Sequence, residues 1–305
     1  MGRTLLIGRS GSSWHEWLAT ERKGRDLILL DPADAHYGPA GRLSLIQGDR
    51  IVRSSFYGSL DPQRAPHLIA SALGSLLDEA GADAVVQCFA YRPLPLLRQL
   101  AITLAFQVRP ERLLIEKDLE IDHDGWPIGP EEVEPRASLP PLVVDAQRKA
   151  QWLKLLERCS PHTIPLQGCS VQGLRLGSGR LIDELTKQRA GLEHELHVEV
   201  CGSTLFIVAE GQFGDERIGR AMDMTHVARA QVVNPGDYED LLCAFVRPNG
   251  DEFGYGMIER IDFSERRIYA RCDAIPPVPV PILRVGSLRV DSDGREHGDV
   301  RPWQV

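Results

Sequence analysis

The chain has 305 residues, 43% of them hydrophobic, and a net charge of -8 from 43 acidic against 35 basic side chains. That length exceeds the usual span of one hydrophobic core, so two domains are expected, and the negative balance excludes a surface coated in nucleic acid, which needs clustered cations. Lysine occurs only at Lys23, Lys117, Lys149, Lys154 and Lys187, and the six cysteines show neither a C-x-x-C pair nor zinc-like spacing, so lysine chemistry has few candidates and a cysteine-based metal framework none.

Thr4–Ile7 is an apolar run that leads into Gly8-Arg9-Ser10-Gly11-Ser12-Ser13 and then Trp14-His15-Glu16-Trp17, a strand, a small-residue loop and a helix. The order is that of a phosphate-binding loop, G-x-x-x-x-G-K-[ST], whose backbone N–H groups wrap a phosphate while a lysine reaches its outer oxygens. The six residues from Gly8 to Ser13 are too few for the full pattern. Aligned on Gly11, Ser12 stands where the lysine belongs and Ser13 takes the magnesium-binding hydroxyl position. Ser13 followed by Glu16 also fits a capping box, and the helix start would attract a small anion. Two roles stay open for Gly8, Gly11, Ser12 and Ser13: residual phosphate binding, or a tight strand-to-helix turn. Arg9 does not replace the lysine, because a planar fork on the other side of Gly11 delivers its charge elsewhere.

Further strands are expected at Leu27–Leu30, Ala84–Cys88 and Arg112–Ile115, alternating with helices at Pro66–Glu79 and Pro95–Phe106 whose leucines recur at helical spacing. This alternation describes a parallel sheet covered on both faces. Residues 116–141 form an acidic, proline-rich stretch, expected as a flap with a hairpin at His123-Asp124-Gly125. A helix over Asp145–Arg158 and a short one over Leu181–Gln188 follow. Short β-runs come next at Leu205–Ala209, Leu241–Val246, Gly254–Ile261, Arg267–Ala270 and Ile282–Val290, separated by turn signals such as Asn249-Gly250. The expected division is a nucleotide-binding-like domain over 1–190 and a β domain over 191–305. No apolar run is long enough to span a bilayer, and Gly8–Ser13 interrupts the only apolar stretch near the N-terminus, so a soluble cytoplasmic protein without a membrane partner is expected.

After the second strand, Leu30-Asp31-Pro32-Ala33-Asp34-Ala35-His36-Tyr37-Gly38-Pro39-Ala40-Gly41 resembles the D-x-G-Q…P-P-G segment of a polynucleotide 5'-hydroxyl kinase family, that of the pre-mRNA cleavage-factor and pre-ribosomal-RNA-processing kinases. The resemblance continues through Phe56-Tyr57-Gly58-Ser59, through Val85-Val86-Gln87-Cys88-Phe89-Ala90-Tyr91, which stands where the family has N-T-x-G-W, and through Gly254–Phe263 and Leu283–Val290 in the β domain. It implies a P-loop NTPase-like α/β fold, with parallel sheet and helices on both faces, followed by a smaller C-terminal β domain. It also implies ATP on the loop, magnesium at Ser13, Asp31 activating a 5'-hydroxyl, Tyr91 stacking on a nucleobase and Arg148 gripping the transferring phosphate from a lid helix. The plainer roles of the same residues are a turn cap for Asp31, core packing for Tyr91 and a solvated helix face for Arg148.

Several departures from the family pattern fall on one chemical site: the shortened loop without lysine, Gln87 and Cys88 for asparagine and threonine, and Ala33 and Asp34 for glycine and glutamine. Phosphoryl transfer depends on positioning and charge, so their joint loss points to a non-catalytic or strongly impaired kinase-like binding or scaffolding module in RNA processing, with a nucleic acid or a protein as partner. The alternative is an active ATP-dependent polynucleotide 5'-hydroxyl kinase with an atypical loop. A third reading places a small anion at the N–H groups of Gly11–Ser13.

Overall fold

The computed structural model describes residues 2–134, 139–211, 213–275, 280 and 282–300. The chain divides into two compact units, Met1–Trp152 and Leu153–Val305.

The first unit contains β1 (Thr4–Ile7), α1 (His15–Glu21), β2 (Leu27–Leu29), β3 (Arg42–Gln47), β4 (Arg50–Phe56), α2 (Pro66–Glu79), β5 (Val85–Gln87), α3 (Pro95–Val108), β6 (Arg112–Glu116) and β7 (Glu131–Val133), and it ends inside α4 (Pro141–Arg158). Its sheet runs β4-β3-β2-β5-β1-β6-β7. The strands from β2 to β7 are mutually parallel, and β3 and β4 add an antiparallel hairpin at one edge. Successive residues of a strand point to opposite faces, so β1 supplies both cores at once. Leu5 and Ile7 pack with Leu73 and Leu76 of α2 and Leu100 and Leu104 of α3, whereas Leu6 packs with Trp14, Trp17 and Leu18 on the other face. Each such leucine, wholly removed from water, contributes about 1.5–3 kcal/mol.

The expected strands and helices of this unit are present. The β3–β4 hairpin was not expected, because its residues alternate at an edge with several polar positions and carry a weak apolar signal. His123-Asp124-Gly125 makes a turn, with Gly125 at φ 84°, but no hairpin. The residues after it enter the sheet as β7, parallel to β6, because Arg98 of α3 and the Trp126 ring tie the segment down through Asp122 and Asp124. Residues 135–138 of the expected flap lie outside the described residues.

The second unit contains β8 (Ser160–Pro165), β9 (Ser170–Gln172), β10 (Arg180–Leu181), α5 (Glu184–Ala190), β11 (His197–Cys201), β12 (Thr204–Val208), α6 (Asp215–Thr225), β13 (Arg229–Val233), β14 (Leu241–Val246), β15 (Glu252–Asp262), β16 (Arg267–Cys272), β17 (Ile282–Val290) and β18 (Glu296–Asp299). One sheet has the order β10-β11-β12-β13 and the other β18-β17-β14-β15-β16-β8, with β9 beside β17. Phe206 and Val208 of β12 face Phe245, Ile258 and Leu283 in one core, and Leu205 and Ile207 face Ala190 and Ala221 of α5 and α6 in another. The unit begins before the expected boundary at 190/191, because β8 pairs with β16 along its whole length. The crossover β12-α6-β13, which makes β13 parallel to β12, was also not expected in a segment read as β-runs alone.

Two glycines separate conformational cost from packing cost. Gly74 lies on the exposed side of α2 with open space where a side chain would stand, while a Cβ on Gly256 would meet the Arg271 carbonyl oxygen of the neighbouring strand at 1.8 Å. Gly74→Ala is expected to raise stability by about 1 kcal/mol. Gly256→Ala is expected to lower it by about 1–3 kcal/mol, or more, by forcing β15 from β16. Urea unfolding of the two variants checks both signs.

Candidate functional site

The carboxyl ends of the parallel strands gather the polar residues of the first unit. Gly8–Ser13 leaves β1, Asp31 follows β2, Gln87 ends β5 and Glu116 ends β6. β1 lies between β5 and β6, with β2 beyond β5, so these four positions are neighbours in space.

The loop is a tight turn held from within. Ser10 is extended, at φ -153° and ψ 157°, and Gly11–Trp14 forms a single 3-10 turn before α1. Ser10 Oγ lies 2.9 Å from Ser12 Oγ and 3.1 Å from Ser13 Oγ, and the Ser13 N–H donates to the Ser10 carbonyl at 3.3 Å. The expected capping box is not formed. Ser13 sits inside the 3-10 turn, and the N-cap of α1 is Trp14, which makes no side-chain cap bond. The Arg9 N–H donates to Glu116 Oε2 at 2.7 Å, so a buried carboxylate takes a donor that a phosphate would otherwise use. A Cβ on Gly8 would stand 2.6 Å from Trp14 Nε1 and 2.8 Å from Glu116 Oε2, so only glycine admits both groups. The Arg9 guanidinium donates to the Asp118 carbonyl and lies 3.9 Å from Glu116 Oε1, and it does not line the cavity described next.

Gly11 plays the same part on the other side. A Cβ there would meet Asp34 Oδ2 at 2.5 Å, Gln87 Nε2 at 2.8 Å and Asp31 Oδ2 at 3.3 Å. Two carboxylates and an amide therefore converge on the side-chain-free flank of the loop. Gln87 donates to Asp34 Oδ2 at 3.2 Å, the His36 N–H donates to Asp34 Oδ1 at 2.8 Å, and His15 Nε2 stands 3.5 Å from Asp34 Oδ2, at ion-pair distance without hydrogen-bond alignment. The His15 and His36 rings lie 4.4 Å apart. Burial favours the neutral acid at Asp34, but His15, the His36 N–H and Gln87 outweigh it and hold that carboxyl below its ordinary range. Burial, with the Asp34 charge beside it, pushes the Asp31 carboxyl up to about 7, against the N–H groups of Ala33 and Ala90 and the Arg148 guanidinium. Burial and the His15 charge lower His36.

These groups open onto a cavity of about 160 Å³ lined by Gly11, Ser12, His15, Asp31, Asp34 and Arg148, with Ala33, Ala90 and Val144 among its apolar walls. Of the expected site residues, Gly11, Ser12, Asp31 and Arg148 are thus brought together. Arg148 reaches it from α4, where it pairs with Asp145 at 2.6 Å, and the Leu139 N–H donates to Ser12 Oγ at 3.3 Å. Gly8, Ser13 and Tyr91 do not line it. The Tyr91 ring is buried in the core with Leu97 and Phe89, and its N–H donates to the Gly8 carbonyl, so it braces the loop from behind and presents no open face for a base. Glu116 and His15 were not expected at the site, and Gln87 and Asp34 were expected there only as replacements of the family's residues. The signal for Glu116 was its place at the end of a parallel strand, as for Asp31. Among the described residues no set of three His, Cys, Asp or Glu side chains stands close enough to hold a metal ion.

A parallel sheet wrapped by helices, with a glycine-bearing loop after its first strand and a following unit rich in β-strands, defines a P-loop NTPase-like fold. No protein-family model matches the chain, and no curated protein sequence matches it. Two solved structures of Clp1p with Pcf11p share the fold at a TM-score of 0.55 and 9% identity over 94% of this chain. One describes an extended interface between Pcf11p and Clp1p and the structural basis for ATP loss in a glycine-to-arginine point mutant, and the match covers 75% of its chain. The other is the wild-type complex, covered over 74%. The fold is therefore the Clp1p-like, P-loop NTPase-like α/β fold that the resemblance implied. Among the described residues no helix is long and apolar enough to cross a membrane.

The Asp31 carboxyl makes stability depend on pH in a defined sense. Its folded-state pKa of about 7 lies above its ordinary 3.8, so the folded protein keeps a proton that the unfolded chain loses, and stability falls as pH rises between about 4 and 7. The fall is at most about 4 kcal/mol. Asp34 acts in the opposite sense and only at lower pH, its contribution being lost as pH drops through its depressed pKa. Asp31→Asn is expected to flatten the profile between pH 4 and 7 and to leave the protein more stable than wild type at pH 8, as read by urea unfolding across pH.

Proposed function

We propose that this chain is a non-catalytic member of the polynucleotide-kinase type, a binding or scaffolding module that works in RNA processing through a protein or nucleic-acid partner. The observation that carries this reading is the convergence of Glu116 on the Arg9 N–H and of Asp31 and Asp34 on Gly11, which places carboxylates where a triphosphate would need donors and positive charge. The cavity supports it as well. A volume of about 160 Å³ is well below the roughly 300–1,000 Å³ of pockets that enclose ligands of nucleotide size. Ser13, the residue at the magnesium-binding position, turns its hydroxyl to Ser10. The partner rests on the likeness in fold to Clp1p, whose solved structures are complexes with Pcf11p.

One observation favours a second reading, an active kinase with an atypical loop. Arg148 stands on the cavity wall within electrostatic reach of Asp31, where a lid cation would be.

A calorimetric titration with ATP and magnesium, together with 5'-phosphorylation assays on RNA and DNA oligonucleotides, separates the two. The expected result is no saturable heat and no label transfer. Magnesium-dependent transfer that disappears in both Asp31→Ala and Arg148→Ala would overturn the non-catalytic reading and establish the second.

A further inference from the structure

Helix α4 is apolar on two sides. Trp152, Leu155 and Leu156 are buried on one of them. The opposite side is exposed and still apolar. At 3.6 residues per turn, Leu142, Leu153, Ala146, Ala150 and Val143 fall, in that order, within one arc of about 100°. Leu142 is 82% exposed, Val143 41% and Leu153 38%, and both alanines are exposed as well. Single apolar residues on a surface need no explanation, but a contiguous stripe along one helix marks an interface.

The borders of the stripe say what covers it. Lys149 stands on one edge and Lys154 on the other, two of only five lysines in a chain of net charge -8. Both are exposed, and neither forms an ion pair among the described residues. Asp145, four residues before Lys149, is taken by Arg148 at 2.6 Å, and Glu157 shares the arc only in the last turn. A second copy does not fit this pattern: whether two such helices pack parallel or antiparallel about a two-fold axis, a lysine border faces a lysine border. A membrane or a nucleic acid would need a larger basic cluster than two lysines on so acidic a chain. Ala146 and Ala150, in the middle of the stripe, leave room for the large side chains of another helix to come close.

We propose that the exposed side of α4 docks an amphipathic helix of a partner protein, one with large aliphatic side chains along its apolar stripe and Asp or Glu on both borders. The proposal deepens the reading given above, by naming the chemistry of the module's partner, and rests on it. Apolar contact with Leu142 and Leu153 supplies affinity, and pairing with Lys149 and Lys154 sets which helices are accepted.

The test is fluorescence anisotropy of two labelled synthetic helices titrated with the full chain, each about three heptads long, with leucine at the core positions and either glutamate or lysine at the flanking ones. Like charges keep each peptide from pairing with itself. The glutamate peptide is expected to bind saturably and the lysine peptide more weakly by about tenfold or more. Leu142→Asp is expected to abolish binding, and the double variant Lys149→Glu/Lys154→Glu to reverse the preference, which keeps the test decisive if Leu142→Asp does not fold. No saturable binding of the glutamate peptide, equal binding of both peptides, or an unchanged preference in the double variant would overturn the proposal. So would a dimer, or binding to phosphatidylserine vesicles or an RNA oligonucleotide, that is lost in Leu142→Asp, since each gives the face to another occupant. Label transfer from ATP to oligonucleotides is measured on the same preparation. Transfer with peptide binding intact defeats the non-catalytic reading alone, whereas absence of both transfer and peptide binding defeats only the docking site.

Discussion

A carboxylate at the end of β6 decides what the loop after β1 can be. Glu116 is buried, accepts the Arg9 N–H at 2.7 Å and presses on Gly8. In a phosphate-binding loop the backbone donors point at a ligand, and an empty loop leaves them to water. Here the Glu116 side chain accepts from the first of them, and the Ser13 N–H is closed back on Ser10. The glycines follow from this arrangement. Gly8 is small because Trp14 and Glu116 occupy its flank, and Gly11 is small because Asp34, Gln87 and Asp31 occupy the other.

The same substitution of internal partners for ligand contacts explains which site residues could be read from the sequence. Strands β1, β2, β5 and β6 of the first unit were legible because their apolar runs are buried on both faces, and Asp31 was legible because the end of a parallel strand is where such sheets place chemistry. Arg148 was legible only through the family resemblance. Asp34 and Gln87 were placed at the site only as departures from the family pattern, and His15 not at all, because their contacts lie in convergence across β2, β5 and α1, and spacing within one segment carries no trace of that. Tyr91 shows the converse limit. An aromatic residue at a family's stacking position looks the same in sequence whether its ring faces a cavity or the core, and here it lies in the core.

The second unit was less legible for a different reason. The continuous apolar run of β14 and the β-rich runs of β15 to β17 announce themselves, but β11 and β13 mix polar and apolar residues, since one face meets α5 and α6 while neighbouring positions remain partly open. β8 carries two prolines and a histidine and gives almost no strand signal. It is nevertheless specified by pairing, Ser160 through Pro165 matching Cys272 back to Arg267. Prolines are tolerated because β8 is the edge strand of its sheet.

That edge pairing also governs the order in which the molecule can be assembled. Among the described residues the first strand of the second unit pairs only with Arg267–Cys272, about a hundred residues later, so its seven-stranded sheet must close a long loop before that contact repays any entropy. During synthesis the first unit has all its partners in hand once α4 has emerged, while Ser160–Pro165 must wait, unpaired, for Arg267–Cys272 to leave the ribosome. Nascent chains stopped short of β16 carry a finished sheet joined to an unfinished one.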